Sequence, residues 1–304
     1  MLIARITGGI GNQLFQYAFV RSLSIKLSKN FKLDLSWYHN YHKFEDESNP
    51  NAATKRTYLL DKFNVQEKLL NPLYLSISYR LNNYSILKNV KNFPIINHFI
   101  YSTITESEFD MDKIQKLKNI YLSGFWQMDD LFEDYSNLIR EEFKLTNTIS
   151  NENRPFLNKI EQSESVAIHI RRGDLLSRPA AVVEQPYSTD KYYYNGINII
   201  KEKLNNPELF VFSDDIDWVD NNFKFDLPTT IVNSDGPDYE HFNLMCNCKH
   251  HIIANSTFSW WAAWLNNYQE KITISPKWWY RDAQKNESII RIPKDWLILD
   301  NIDE

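Results

Sequence analysis

Four short segments of the chain combine side chains that can bind or move charge with backbone able to come close to a ligand. Arg171-Arg172-Gly173-Asp174 sets two guanidiniums beside a glycine and a carboxylate. Guanidinium groups stay protonated and grip phosphate oxygens in pairs, so two in succession suit a diphosphate whose charge grows as it departs. The alternative is structural: two adjacent arginines cannot lie unpaired in an apolar core, and Asp174, Asp214 and Asp215 are available as ion-pair partners. Asn255-Ser256-Thr257-Phe258-Ser259 reads as the start of a helix, where a Ser or Thr caps the first turn and free N–H groups attract an anion. The two uses are compatible. Ser213-Asp214-Asp215 offers carboxylates, of which Asp214 is suited to orient the arginines. Gly8-Gly9-Ile10-Gly11, followed by Asn12-Gln13, holds three of the chain's 7 glycines, which marks a backbone that bends sharply or is closely approached.

These segments need elements to position them. In an open α/β sheet, ligands lie outside the carboxyl ends of the strands. Each of the four segments follows a predicted strand: 2–6, 166–170, 209–212 and 250–254. Further strands are expected at 31–35, 119–126, 230–232 and 271–275. Apolar residues at helical spacing predict helices from about 10 to 29, and at 129–145, 190–204, 216–223, 239–248 and 257–267. Strands alternating with helices imply parallel sheets. The polar run 146–155 reads as a linker, giving an N-terminal α/β domain over 1–150 and a C-terminal one over 151–304. The last helix or tail is free to pack back on the first domain. Between 36 and 118 the pattern is weak, and 40–57 is too polar for a core strand.

Other chemistries compete for some of the same residues. Asp215-Ile216-Asp217 spells an Asp-x-Asp of the kind that holds Mn²⁺ or Mg²⁺ in some nucleotide-sugar enzymes. Asp110-Met111-Asp112 matches the same short pattern, and acidic residues favour helix N-termini in any case. Gly9-x-Gly11-x-x-Leu14 lacks the third glycine of a dinucleotide fingerprint, although Asp34 stands where a ribose-binding acid would. A dehydrogenase would leave the Arg171 loop without a use. Cys246, Cys248, His250 and His251 lie too close together for an ordinary tetrahedral zinc site. No Gly-x-Ser-x-Gly elbow or Walker loop exists, which argues against hydrolase and ATPase chemistry.

Composition narrows the field further. A length of 304 residues suggests about two domains. Lys and Arg total 34 against 39 Asp and Glu, a net charge of −5, so non-specific nucleic-acid binding is not expected. No uninterrupted apolar stretch spans a membrane, and the opening residues lack the apolar run of a signal peptide. Two cysteines cannot staple a fold of this size; they are expected to be reduced, in a cytoplasmic protein that associates at most peripherally with the membrane. Aromatics at 14% serve a core first, and can also face sugar rings.

The blocks Gly8-Gly9-Ile10-Gly11-Asn12-Gln13-Leu14-Phe15-Gln16, His169-Ile170-Arg171-Arg172-Gly173-Asp174, Phe212-Ser213-Asp214-Asp215 and Asn255-Ser256-Thr257-Phe258-Ser259-Trp260-Trp261 resemble the signatures of the bacterial α-1,2-fucosyltransferases, glycosyltransferase family 11. The resemblance implies a GT-B fold: two Rossmann-like α/β domains facing across a cleft, with parallel sheets and helices on both faces. It implies GDP-β-L-fucose as donor, the 2-hydroxyl of a galactoside-terminated oligosaccharide as acceptor, inversion, and no metal or other cofactor. It places the diphosphate on Arg171, with Arg172 beside it or bracing the loop. His169 would lie by the guanosine, and Ser256, Thr257, Phe258 and Ser259 would line the phosphate and nucleotide pocket. Asn12 and Gln13 would reach in from the N-terminal domain. Related families carry a glutamate shortly after the arginines; here position 179 is Pro, so Asp174 is the first candidate for general base and Glu184 the second. A metal-using transferase of another nucleotide sugar, or a non-catalytic carbohydrate-binding protein, are the alternatives.

Overall fold

The computed structural model of the chain describes residues 1–40, 56–74, 76, 101–172, 184–289 and 292–302. The described residues form two compact units, one from residues up to 144 and one from 145 onward.

The first unit is built on a parallel sheet of β1 (Leu2–Arg5), β2 (Phe31–Asp34), β3 (Ser102–Thr105) and β4 (Ile120–Ser123), in the order β2-β1-β4-β3. Helix α1 (Ile10–Lys26) connects β1 to β2. It is buried nearly all round: Ile10, Leu14, Phe15, Ala18, Phe19 and Leu23 supply apolar surface, and Gln13 and Gln16 are buried among them. Two buried amides in an apolar setting must be fully bonded or they cost stability. Gln16 accepts the Thr7 N–H at 2.9 Å and donates to Thr7 Oγ1 at 3.0 Å and to the Gly124 carbonyl at 3.1 Å. It therefore ties the turn after β1 to the turn after β4. Short helices α2 (Ser36–Asn40), α3 (Met111–Ile114) and α4 (Ser136–Glu142) complete the unit. Glu142 on α4 is buried and receives Arg21 at 2.9 Å and the Tyr17 hydroxyl at 2.7 Å, so the charge is paired and hydrogen-bonded.

The second unit carries a six-stranded parallel sheet: β5 (Glu164–Ile170), β6 (Pro207–Ser213), β7 (Thr229–Ile231), β8 (His250–Ile252), β9 (Thr273–Pro276) and β10 (Leu297–Leu299). Their order is β10-β9-β8-β5-β6-β7. Counted from β5, this is the doubly wound 3-2-1-4-5-6 arrangement, and the direction of winding reverses between β5 and β8. The helices are α5 (Arg154–Gln162), α6 (Asp190–Lys203), α7 (Ile216–Asn222), α8 (Asp238–Asn247), α9 (Thr257–Leu265) and α10 (Ala283–Ile289). Alternation along the strands separates the two faces. Val166, Ile168 and Ile170 of β5, with Leu209 and Val211 of β6, pack on Tyr192, Tyr193, Ile197 and Ile200 of α6 and on Val219 of α7. On the opposite face His169 meets α9. The sheet therefore has helices on both sides.

Residues 146–155 differ from the loose polar linker the sequence suggests. Asn153 is fully buried, and its side chain donates to Glu240 of α8 at 2.7 Å. Ser150 donates to the same carboxylate through its hydroxyl at 2.6 Å. Arg154 and Pro155 already belong to α5. A polar segment can be an ordered part of a domain when a buried carboxylate collects its donors. No helix among the described residues is long and apolar enough to cross a membrane.

Candidate active site

The reversal between β5 and β8 is the place where a doubly wound sheet opens a crevice at its carboxyl edge. Arg171 leaves the end of β5, and Asn255 to Ser259 follow β8 into α9. The two segments touch. Arg171 Nη1 donates to the Asn255 carbonyl at 3.3 Å. His169 Nδ1 lies 2.9 Å from Ser259 Oγ, and its ring lies 5.7 Å from that of Phe258. Ser259 Oγ also lies 3.3 Å from the Ser256 carbonyl, so its hydroxyl bridges the imidazole and the turn that opens α9. Asn255 Nδ2 donates to the Pro186 carbonyl at 2.7 Å and braces the turn.

Helix α9 begins without a side-chain cap: Ser256 sits at the N-cap in extended conformation, and its side chain makes no capping hydrogen bond. The expected capping hydrogen bond from the Ser256 side chain is absent, and the N-terminus of α9, with the partial positive charge of the helix, follows the carboxyl end of β8. Behind them Trp260, Trp261 and Trp264 are packed away from solvent, which gives the turn a rigid base.

The two consecutive arginines part company. Arg172 turns toward β6: its N–H donates to Asp214 Oδ1 at 2.7 Å, its Nε lies 3.9 Å from Asp215 Oδ2, and its guanidinium stacks 4.0 Å from the Trp218 ring centre. Arg172 is thus engaged as a brace through Asp214, Asp215 and Trp218, and Arg171 alone points to the β8 side. Trp218 was not evident as a partner from sequence; its place three residues after the cap residue Asp215 is the signal that could have found it. Asp215 itself caps α7 by accepting the Trp218 N–H, and Asp110 caps α3 by accepting the N–H groups of Asp112 and Lys113. Both Asp-x-Asp patterns are therefore helix starts. Among the described residues, no three His, Cys, Asp or Glu side chains converge as metal ligands would.

The Glu184 side chain is 64% exposed and paired with Lys285 at 2.8 Å, and its carbonyl accepts the Arg281 N–H; among the described residues neither contact joins it to the Arg171–Ser259 group. Asp174 and Gly173 lie outside the described residues.

In the first unit the corresponding edge is formed by the turns after β1 and β4. Gly8 adopts φ +76, and a Cβ there would meet Asn12 Nδ2 at 2.7 Å. A Cβ on Gly9 would meet Arg56 at 3.7 Å, an ordinary van der Waals distance, so the steric demand for glycine lies at Gly8. Gln13 does not reach outward: it is fully buried, donates to the Gly8 and Thr57 carbonyls at 3.0 and 2.8 Å, and accepts the Leu59 N–H at 2.9 Å. Asn12 Oδ1 accepts from Gln127 at 2.9 Å, which links the two turns.

A family profile described as Glycosyl transferase family 11 matches residues 1–300. The chain belongs to that family. It is 34% identical over 311 residues to an alpha-1,2-colitosyltransferase of Escherichia coli, covering 98% of each chain. It is 28% identical to an O-antigen biosynthesis glycosyltransferase of Escherichia coli, covering 93% of this chain and 96% of that one. Among solved structures, a fucosyltransferase from Bradyrhizobium aligns with a TM-score of 0.44 at 14% identity, over 86% of this chain and 91% of the other. The two parallel-sheet α/β units of this family 11 glycosyltransferase accord with the fold class read from its sequence. The residues the structure brings together at the β5/β8 edge are His169, Arg171 and Ser256 to Ser259; Arg172 contacts Asp214 and Trp218 on the β6 side, and Gln13 is bonded within its own unit.

Proposed function

We propose that this family 11 glycosyltransferase moves a 6-deoxy-L-hexose from its GDP ester to the 2-hydroxyl of a terminal galactoside, with inversion at the anomeric carbon. Membership of the family supports sugar transfer, and the name of the colitosyltransferase relative supports the α-1,2 linkage. The observation that carries the donor side is the pairing of Arg171 with an uncapped helix N-terminus at the β5/β8 edge. Such a pair of fixed positive charge and oriented N–H groups suits a pyrophosphate, whose charge increases as the glycosidic bond breaks. In this reading Arg171 and the N–H groups of Thr257 to Ser259 hold the departing diphosphate. His169, held by Ser259, borders the nucleoside. Arg172, stacked on Trp218, fixes the strand end that carries Arg171.

L-fucose and colitose differ by one hydroxyl, at C3, and we take fucose as the first donor and colitose as the second. A site that hydrogen-bonds a hydroxyl rejects the analogue lacking it far more strongly than an apolar site rejects the extra group. A donor screen with GDP-fucose, GDP-colitose, GDP-mannose and UDP-sugars on lactose, with linkage read by NMR, tests the reading. Transfer to O2 from a GDP-6-deoxyhexose is the expected result; transfer only from UDP-sugars would overturn it. The same reading places the reaction on the cytosolic side, in assembly of a surface polysaccharide, with no metal requirement. Activity is expected to persist in EDTA, and loss restored by Mn²⁺ would show a metal-dependent mechanism.

A further inference from the structure

The ladder between β5 and β8 stops short of the Arg171 group. β5 pairs with β8 over 166–168 and 250–252, whereas its pairing with β6 runs on to Ile170 and Ser213. Continued by one position, the register would set His169 opposite Ile253. Two positions further along each strand stand Arg171 and Asn255, which meet at 3.3 Å. Strands that part inside a protein leave main-chain carbonyls in need of other donors.

Helix α6 supplies them from the face of the sheet opposite to α9. Tyr192 and Tyr193 are consecutive on α6 and buried against that face. The Tyr193 hydroxyl donates to the His169 carbonyl at 3.1 Å. The Tyr192 hydroxyl donates to the Ile253 carbonyl at 2.7 Å, with the Ile274 carbonyl of β9 3.2 Å away. The two hydroxyls therefore take the carbonyl of the first residue past the ladder on each strand. Their rings meet edge to face at 5.0 Å and pack as one block. Burial raises both hydroxyls above the ordinary Tyr value; at Tyr193, hydrogen bonds with Ser188 and the Arg171 N–H oppose the rise. Both stay protonated at any working pH and so remain donors. One turn along the helix, a Cβ on Gly196 would meet Ile252 Cδ1 at 3.1 Å and Cγ2 at 3.2 Å. Residues at i and i+4 share a helix face, so Gly196 sets how closely α6 lies on β8 and how far the Tyr192 hydroxyl reaches.

We propose that Tyr192 and Tyr193 are positioning residues that fix the separation of Arg171 from the N-terminus of α9, and so fit this site to the diphosphate of its donor. This rests on the transfer reaction proposed above and adds to it the residues that set the width of the phosphate site. Each tyrosine acts through the carbonyl it holds. A guanidinium and a helix N-terminus share a diphosphate well only at the separation its two phosphates need, and groups held there in advance cost no rearrangement as the charge develops. The contacts of His169 with Ser259 and Phe258, which border the nucleoside, lie on the other face of the sheet and use neither tyrosine hydroxyl. Loss of a hydroxyl is therefore expected to weaken the hold on phosphate and to spare the nucleoside.

The test compares GDP with guanosine by calorimetry on the full chain, beside thermal melts. Tyr192→Phe and Tyr193→Phe keep the buried ring and remove one donor each. Each is expected to bind GDP about fivefold to tenfold more weakly, with guanosine affinity held within about twofold, so that the ratio of the two affinities falls. Gly196→Ala, which lifts α6 from β8, is expected to lower the same ratio. Tyr194→Phe removes a third hydroxyl from the same helix, where it accepts the Lys224 N–H at 3.1 Å, and is expected to leave the ratio unchanged. A lowered melting midpoint with an unchanged ratio in both Tyr192→Phe and Tyr193→Phe would make these hydroxyls supports of the fold alone and overturn the proposal. An equal loss in Tyr194→Phe would overturn it too. An unmodified chain that binds GDP no better than guanosine would overturn the transfer reading and this inference with it; a clear GDP preference in the unmodified chain, kept intact in the variants, removes the tyrosine assignment alone.

Discussion

Arg171 and Arg172 are consecutive, and a strand end sends consecutive side chains to opposite sides. One guanidinium meets the Asn255 carbonyl and the other stacks on Trp218 between Asp214 and Asp215. A sequence reading sees two equivalent charges; the neighbouring strands β8 and β6 make them different. Arg171→Ala is therefore expected to remove nearly all transfer, at least 100-fold in kcat/KM, with an unchanged thermal midpoint. Arg172→Ala is expected to lower the midpoint as well as activity, because it strips the cation from a buried-edge stack; Arg172→Lys, which keeps charge and loses the planar fork, should recover little of either. Calorimetric melting beside kinetics separates the two. The Asp residues illustrate the limits of short patterns. Asp215 and Asp110 match a metal-binding spelling and turn out to cap helices, since two acids near a helix start satisfy that spelling for electrostatic reasons alone.

At the scale of elements, the apolar pattern located the central strands and the edge strands β2 and β7, and missed the other two edges. Segments 166–170 and 209–212 are continuous apolar runs because β5 and β6 are covered on both faces, and both were legible. β3 (Ser102–Thr105) and β10 (Leu297–Leu299) are edge strands of four and three residues with half-exposed side chains, and nothing in STIT or LIL separates them from loop. The stretch 129–145 read as one helix and is two 3-10 turns followed by α4, with Phe132 in a non-helical conformation between the turns. The glycine cluster was legible as a need for special backbone, which the structure shows at Gly8, through its positive φ and the nearness of Asn12. Gly8→Ala is expected to cost about 1–2 kcal/mol from the left-handed backbone alone, and more from the Asn12 contact, read as a loss of thermal midpoint.

For the whole molecule, the described residues fall into two compact units that change over at positions 144 and 145. The polar pattern of 146–155 does not show that this segment is tied to Glu240. Burial would raise that carboxyl, yet hydrogen bonds from Ser150 and Asn153, with the nearby His241, hold it below the ordinary Glu value. A carboxyl depressed in the folded state contributes stability above its unfolded value of 4.5, and this is lost as pH falls through the lower folded value. Glu240→Ala is expected to cost about 1–3 kcal/mol at pH 7 by leaving Asn153 and Ser150 unbonded. The gap to the parent protein should narrow as melts are repeated below pH 4.5.

Gln16 joins the Thr7 and Gly124 turns from beneath, and Trp126 is pinned by Phe19, so the outer surface of the β4 turn rests on a frame that its own exposed residues do not build. Substitutions at the exposed Phe125 and Asp130 are therefore expected to leave the thermal midpoint nearly unchanged so long as Gln16, Phe19 and Trp126 are kept.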